Sequence, residues 1–362
     1  MTVYEPIEEF TDLKPPVTSI GVLGWIRSKL FNNWYNSLLT LATLYLLVKV
    51  VPPFIDWAVI NGNWNTTGAA CHQSKGACWS IIHANIRFIM FGFYPPTEQW
   101  RPLLAMMLLF ALLLVSRNRR WWSKYLGFAW LAGLVVMGLL MKGGLFGLPA
   151  VDSGQWGGLP LTLILSVFGL TAAYPLGVIL ALGRQSRMPA IRYLTIVYIE
   201  MIRGVPLISL LFMSAIIFPL FLPEGVTINK IIRAQVAIIM FTAAYVAEVV
   251  RGGLQAIPKG QYEAAESLGL NYWQTMRLIV LPQALKIVIP PTVSILISAF
   301  KDTSLVVIIA LYDILKTTQS TLSNPEWMGF STEAYLFLAL VYFICCYFMS
   351  TWSRKLEKEL QT

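Results

Sequence analysis

The feature that most constrains this chain is a succession of long apolar runs. They fall at 37–60, 103–115, 126–141, 159–182, 191–221, 231–250, 282–300 and 333–352, with 103–115 read as extended at its start. Runs of this length and number exceed what one water-soluble core would hold and point to membrane spans. Composition agrees: the chain is 57% hydrophobic and 12% charged, against roughly 25% charged in soluble domains. The expected fold is an all-α polytopic membrane protein with about eight transmembrane helices. The 37–60 run is the weakest of them, because Lys49, Pro52, Pro53 and Asp56 interrupt it.

A net charge of +9 raises the question of nucleic acid, but the basic residues sit in loops that alternate with poor ones, as the positive-inside rule expects. Arg117, Arg119, Arg120 and Lys124 flank Trp121 and Trp122 beside a span, and Arg184, Arg187 and Arg192 follow another. No nucleic-acid partner is read. Residues 1–36 are polar, with Glu5, Glu8, Glu9 and Asp12, and lack the basic start and cleavage site of a secretory signal. Both termini are therefore expected in the cytoplasm. Loop 61–101 falls outside it and holds Cys71 and Cys78, for which a disulfide and two free thiols both remain open. His72 and His83 in that loop are too little to assign a metal. Cys345 and Cys346, in an apolar helix, read as small buried thiols.

Between two spans lies a polar stretch, 251–282, with its own punctuation. Gly252 and Gly253 are expected to end the entering helix, and Pro258, Lys259 and Gly260 to turn the chain. A short helix over 261–268 then closes on Gly269, placed where a left-handed cap is needed. Asn271 with Gln274 reads as an N-cap pair opening a second short helix, which Pro282 limits. Ala264, Ala265 and Leu268 give the first helix a small apolar face, with Glu263 and Glu266 beside it. Such a knob suits a cleft on a partner protein.

These residues carry a resemblance. Glu263-Ala264-Ala265, Gly269, Ile279, Leu281 and Pro282 resemble, in type and spacing, the EAA loop of ABC importer permeases. Arg203 to Leu207, Ala244 to Gly253, Leu281 to Leu285 and Lys301 to Leu305 are similar to the polar amino acid uptake branch, over roughly 158–355. The segments Gly76 to Trp79 and Gly92 to Pro95, with the additional N-terminal spans, resemble the longer permeases of general L-amino acid transport systems. The resemblance implies a permease core over 158–355 with its coupling loop at 251–282. Before it lie a cytoplasmic segment, 1–36, and a three-span extension, 37–157; after it, a tail, 356–362. It also implies an ABC ATPase dimer, a second homologous permease, a periplasmic amino acid-binding protein and the bacterial inner membrane as partners. Glu263, Ala264, Ala265 and Gly269 would be the ATPase-docking residues, and ATP and Mg would bind the ATPase, this chain holding no cofactor.

Charges in or at the ends of spans are the candidates for the substrate pathway. Glu248 either meets a substrate ammonium or is neutralised by Arg251 at i+3; Arg203 either faces the pathway or pairs with Glu200. Lys301 and Asp302, placed just after the seventh span, flank the pathway or pair with each other. Beyond them 305–315 is too short to cross and reads as re-entrant, and 317–332 as external and polar. No phosphate-binding G-x-x-x-x-G-K-[ST] loop, H-E-x-x-H or Gly-x-Ser-x-Gly motif occurs, so no catalytic residues are assigned. Two rivals remain: an ion-coupled secondary transporter, which predicts transport without an ATPase, and a membrane scaffold, which predicts no flux.

Overall fold

The computed structural model describes residues 21–361 apart from Ser123 and Phe146. Glu5, Glu8, Glu9, Asp12 and the Pro15–Pro16 pair lie outside the described residues. The chain divides into two units, Met1–Trp79 and Ser80–Thr362.

In the first unit a short helix α1 (Gly21–Lys29) precedes α2 (Trp34–Ile55), which runs on as a π-helical turn over Asp56–Ile60. The span is continuous for 27 residues and does not break at Pro52 and Pro53, as their lack of backbone donors had suggested. The Asp56 backbone N–H reaches both the Pro52 and Pro53 carbonyls, so a widened turn absorbs the missing hydrogen bonds. Residues 61–79 fold back on the end of this helix. Trp79 Nε1 donates to the Ala58 carbonyl at 2.6 Å, and α3 (Gly68–Gln73) is capped by the Thr67 hydroxyl. Cys71 and Cys78 form a disulfide, with their Cα atoms 5.6 Å apart.

The second unit begins with α4 (Ser80–Phe91), an apolar helix inside the stretch expected to be a loop. Next come α5 (Trp100–Ser116) and α6 (Lys124–Lys142). Arg101, at the start of α5, is wholly buried; its Nε donates to the Leu140 carbonyl at 2.7 Å and its Nη1 to the Pro149 carbonyl at 2.9 Å. A Cβ on Gly143 would lie 2.3 Å from both Arg101 Nη2 and the Pro149 oxygen, and the residue has φ +66°, so only glycine closes this clasp.

The core is built on α7 (Gly158–Arg184) crossing α10 (Lys230–Gln255). Small residues set their distance: a Cβ on Gly177 would meet the Val246 side chain at 2.6 Å. Between them run α8 (Pro189–Gly204) and α9 (Leu207–Phe212). The latter continues through a π turn (Met213–Ile217) and a 3₁₀ turn (Phe218–Phe221). The two halves are bent by 102° at Val205–Pro206, where the proline has no N–H to continue the helix. After the hairpin come α13 (Leu281–Ile287) and α14 (Ile289–Asp302), then a 3₁₀ stretch over Thr303–Ile309. Pro290 and Pro291 stand in the first turn of α14, at the start of the span Ile289–Ile309, where a missing N–H costs nothing. The chain reverses at Ala310, φ 53°, and pairs Tyr312 and Asp313 with Gly157 and Gly158. It then forms α15 (Ile314–Leu322) and a last span, α16 (Ser331–Gln361).

Two expectations need correction here. Lys301 and Asp302 lie within the span Ile289–Ile309, not after it. The start of 317–332 is not a solvated loop: Thr317, Thr318 and Thr321 are buried. Their hydroxyls donate to the Ile89, Ile314 and Thr317 carbonyls, which lets threonine face an apolar core. Among the described residues, seven helices are long and apolar enough to cross a membrane, and eight when the bent pair is one span.

Candidate docking hairpin and charge cluster

The hairpin is held by its own backbone caps. Helix α11 (Lys259–Ser267) ends in a Schellman arrangement. The Gly269 N–H donates to the Glu266 carbonyl at 2.9 Å and the Leu270 N–H to the Ala265 carbonyl at 3.1 Å. Gly269 has φ +74° and open space where a Cβ would be, so the backbone angle, not crowding, calls for glycine. Helix α12 (Tyr272–Thr275) opens with a complete capping box. The Gln274 N–H donates to Asn271 Oδ1, and the Asn271 N–H to Gln274 Oε1, both at 3.0 Å.

The ends of the hairpin differ from expectation. Gly252 and Gly253 do not end α10, which continues to Gln255. A Cβ on Gly253 would lie 2.3 Å from Val288 Cγ1 and 2.8 Å from the Ala284 oxygen, so this glycine serves the crossing of α10 with α13. Pro282 does not stop the exit helix either. It occupies the first turn of α13, and a π turn (Met276–Val280) joins that helix to α12. Gln283 Nε2 donates to Gln261 Oε1 at 3.0 Å and ties the two limbs together. The Tyr262 hydroxyl points at the Leu254 carbonyl, and burial pushes its phenol pKa up.

Of the four residues singled out for docking, Glu263, Ala264 and Gly269 are exposed, while Ala265 is fully buried and forms the underside. The sequence reading put Leu268 on the apolar face but passed over Tyr272 and Trp273 beside it. Leu268 is 77% exposed and Trp273 73% exposed, with Tyr272 packed edge-on against the tryptophan. Large exposed apolar groups on a water-facing, rigid element mark a contact surface.

Near the end of α10, just before the hairpin, a charge cluster joins three helix ends. Glu248, on α10, accepts from Arg184 Nη1 of α7 at 2.6 Å and from Arg251 Nη2 at 2.9 Å. Arg203 Nη1 of α8 stands 3.6 Å away, and its guanidinium lies over the Tyr245 ring. Arg184 also pairs with Glu200 at 2.9 Å. The expected Glu200–Arg203 pair is thus replaced by contacts across helices, because packing of α8 on α7 and α10 offers each charge a nearer partner. The Glu248–Arg251 pair at i+3 is present. Lys301 is exposed and Asp302 half-buried; neither joins the cluster, and they form no ion pair with each other among the described residues.

Asp313, which sequence reading passed over, is buried and caps α15, its Oδ1 accepting the Lys316 N–H at 2.9 Å. Burial pushes its carboxyl up to about 7 against the lowering effect of the backbone N–H groups. Its only sequence signal is the Asp-x-x-Lys start of a short helix.

Residues 173–362 match the family model of the binding-protein-dependent transport system inner membrane component, which is more than half of the chain. The chain belongs to this family. It is 48% identical over 352 residues to the inner membrane amino-acid ABC transporter permease protein YhdY of Escherichia coli (strain K12), covering 95% of this chain and 94% of that one. It is 36% identical over 414 residues to the glutamate/glutamine/aspartate/asparagine transport system permease protein BztC of Rhodobacter capsulatus, covering 96% and 95%. A crystal structure of an amino acid ABC transporter with histidines aligns with a TM-score of 0.51 at 30% identity, over 56% of this chain and 92% of that one. The full-length matches include the N-terminal extension, so this is a permease of the longer form. It is a multi-span ABC importer permease of the inner membrane, a transport subunit and not an enzyme, and binding-protein-dependent transport implies a binding protein and an ATPase beside it.

Proposed function

We propose that this permease carries polar L-amino acids into the cell by alternating access. It would be one of two different permease chains, loaded by a periplasmic amino acid-binding protein and driven by an ABC ATPase dimer, with both termini in the cytoplasm. ATP and Mg would bind the ATPase alone. The observation that carries the reading is the hairpin: two short helices, each capped by its own residues, presenting Glu263, Ala264, Leu268 and Trp273 on one rigid knob. A coupling element has to transmit force without unfolding, and closed caps at the bend between its helices serve that need. Glu263 would meet a basic group of the ATPase, with Leu268 and Trp273 filling its cleft.

Glu248 is then a lock before it is a substrate ligand. With Arg184, Arg203 and Arg251 around it, it holds the ends of α7, α8 and α10 as one body, so a push on the hairpin moves three helices together. Lys301 and Asp302, charged and within a span, are the stronger candidates for the substrate pathway. The deciding experiment is amino acid uptake in proteoliposomes holding the complete complex. Uptake that requires internal ATP and added binding protein is the expected result. Uptake driven by an ion gradient alone would overturn the proposal.

A further inference from the structure

Arg233 stands apart from the other buried and partly buried arginines. Arg101, Arg184, Arg203 and Arg251 each have a carboxylate within 4.0 Å, and Arg233, among the described residues, has none. It sits in the first turn of α10, with exposed Lys230 at i−3. Two cations at a helix N-terminus oppose the helix dipole, so an anion there is favoured twice. The local backbone explains why the side chain turns inward. Pro219 has no N–H to offer the Ala215 carbonyl four residues before it, and Arg233 Nη1 donates to that carbonyl instead. The guanidinium Nε is buried without a partner among the described residues.

This charge stands at one end of a cavity of about 520 Å³ between the second half of the bent span and α10. Its walls include Met213, Phe218, Phe221, Val236 and Met240. From Ile232 to Met240 it follows α10 for about 12 Å at the helical rise. A polar amino acid would be a poor guest: its ammonium needs an acceptor, and besides Arg233 the only polar side chain lining the cavity is that of Ser214. An anionic head on a long apolar tail answers both features. We propose that this groove binds one anionic phospholipid, its acyl chain along the apolar walls and its phosphate on the Arg233 guanidinium, with Lys230 at the rim.

The test uses the assembled complex, exchanged in turn into phosphatidylglycerol and phosphatidylcholine of matched acyl chains, delipidated stepwise and weighed by native mass spectrometry. The expected result is one phosphatidylglycerol retained per chain, about tenfold over phosphatidylcholine, as a charge-assisted contact supplies. Arg233→Gln, which keeps a donor for the Ala215 carbonyl, should bring that ratio near one. Val236→Trp leaves the charge and fills the groove, and should lower retention of both lipids, so it decides the matter if the arginine variant fails to assemble. Equal retention of the two lipids by the unaltered complex would overturn the site. So would unchanged phosphatidylglycerol retention in Val236→Trp, or a Val236→Cys crosslink to a second permease chain in every copy, which would place protein in the groove.

Discussion

Helices α11 and α15 are both nine residues long, both join spans, and both are capped within the residues that flank them. They lie in opposite surroundings. α11 closes with Gly269 and hands over to the Asn271–Gln274 box, with its outer face in water. α15 starts from Asp313 and turns Thr317, Thr318 and Thr321 into the core, where the Thr162 hydroxyl accepts the Ile314 N–H at 3.2 Å. Local capping, by a glycine at the end of α11 and by a carboxylate at the start of α15, therefore builds an exposed knob in one place and a buried plug in the other. What separates them is which faces the rest of the chain covers, not their local sequence.

The sharpest way to break this contrast is Gly269→Pro. Proline holds φ near −65°, whereas this position needs φ +74°. ATP-driven uptake and ATPase co-purification should be lost while the chain still inserts in the membrane; normal assembly would remove the hairpin from the docking role.

The next largest effect belongs to α15. Asp313, with its folded-state pKa raised to about 7 from 3.8, binds its proton more tightly folded than unfolded. Its contribution to stability is fully present below pH 3.8 and is lost as pH rises through about 7. By linkage the difference is on the order of 4 kcal/mol. Thermal melting temperatures of the purified protein between about pH 5 and about pH 8 should fall with pH, and Asp313→Asn should flatten the slope. A slope unchanged by that substitution would mean another group titrates.

Glu248→Gln tests the lock. It leaves the arginines of the cluster without their shared carboxylate, and about 2–3 kcal/mol of stability should go, less than for a fully buried pair. The double variant with Arg184→Gln should recover part of it, and additive losses would argue against a shared network. The smallest effect is Asn271→Ala, which removes the capping box and should cost about 1 kcal/mol. Faster amide exchange confined to the hairpin, with α15 unchanged, would show that the knob is stabilised locally.

The turns of the hairpin were legible because what shapes them lies within a few residues: a glycine where φ is positive, an Asn three before a Gln, and a pair of acids on an exposed turn. The helix limits beside it were not. Gly253 and Pro282 look like breakers in one dimension. In the fold, one is the point where α13 crosses α10 and the other sits in a first turn that needs no donor. Glu200 and Arg203 failed as a pair for a related reason, since spacing on one helix cannot weigh an arginine arriving from α7.

By itself, then, the sequence determined the spans, the bend at Pro206 and the caps of the hairpin. Each follows from backbone hydrogen bonding and from hydrophobic length, which are properties of neighbouring residues. Only the tertiary structure decided that Glu248 would gather three arginines, that Asp313 and its threonines would be buried, and that Arg233 would stand beside an open groove. Those outcomes depend on which helix ends meet, and that is fixed by side-chain packing between segments far apart in the chain.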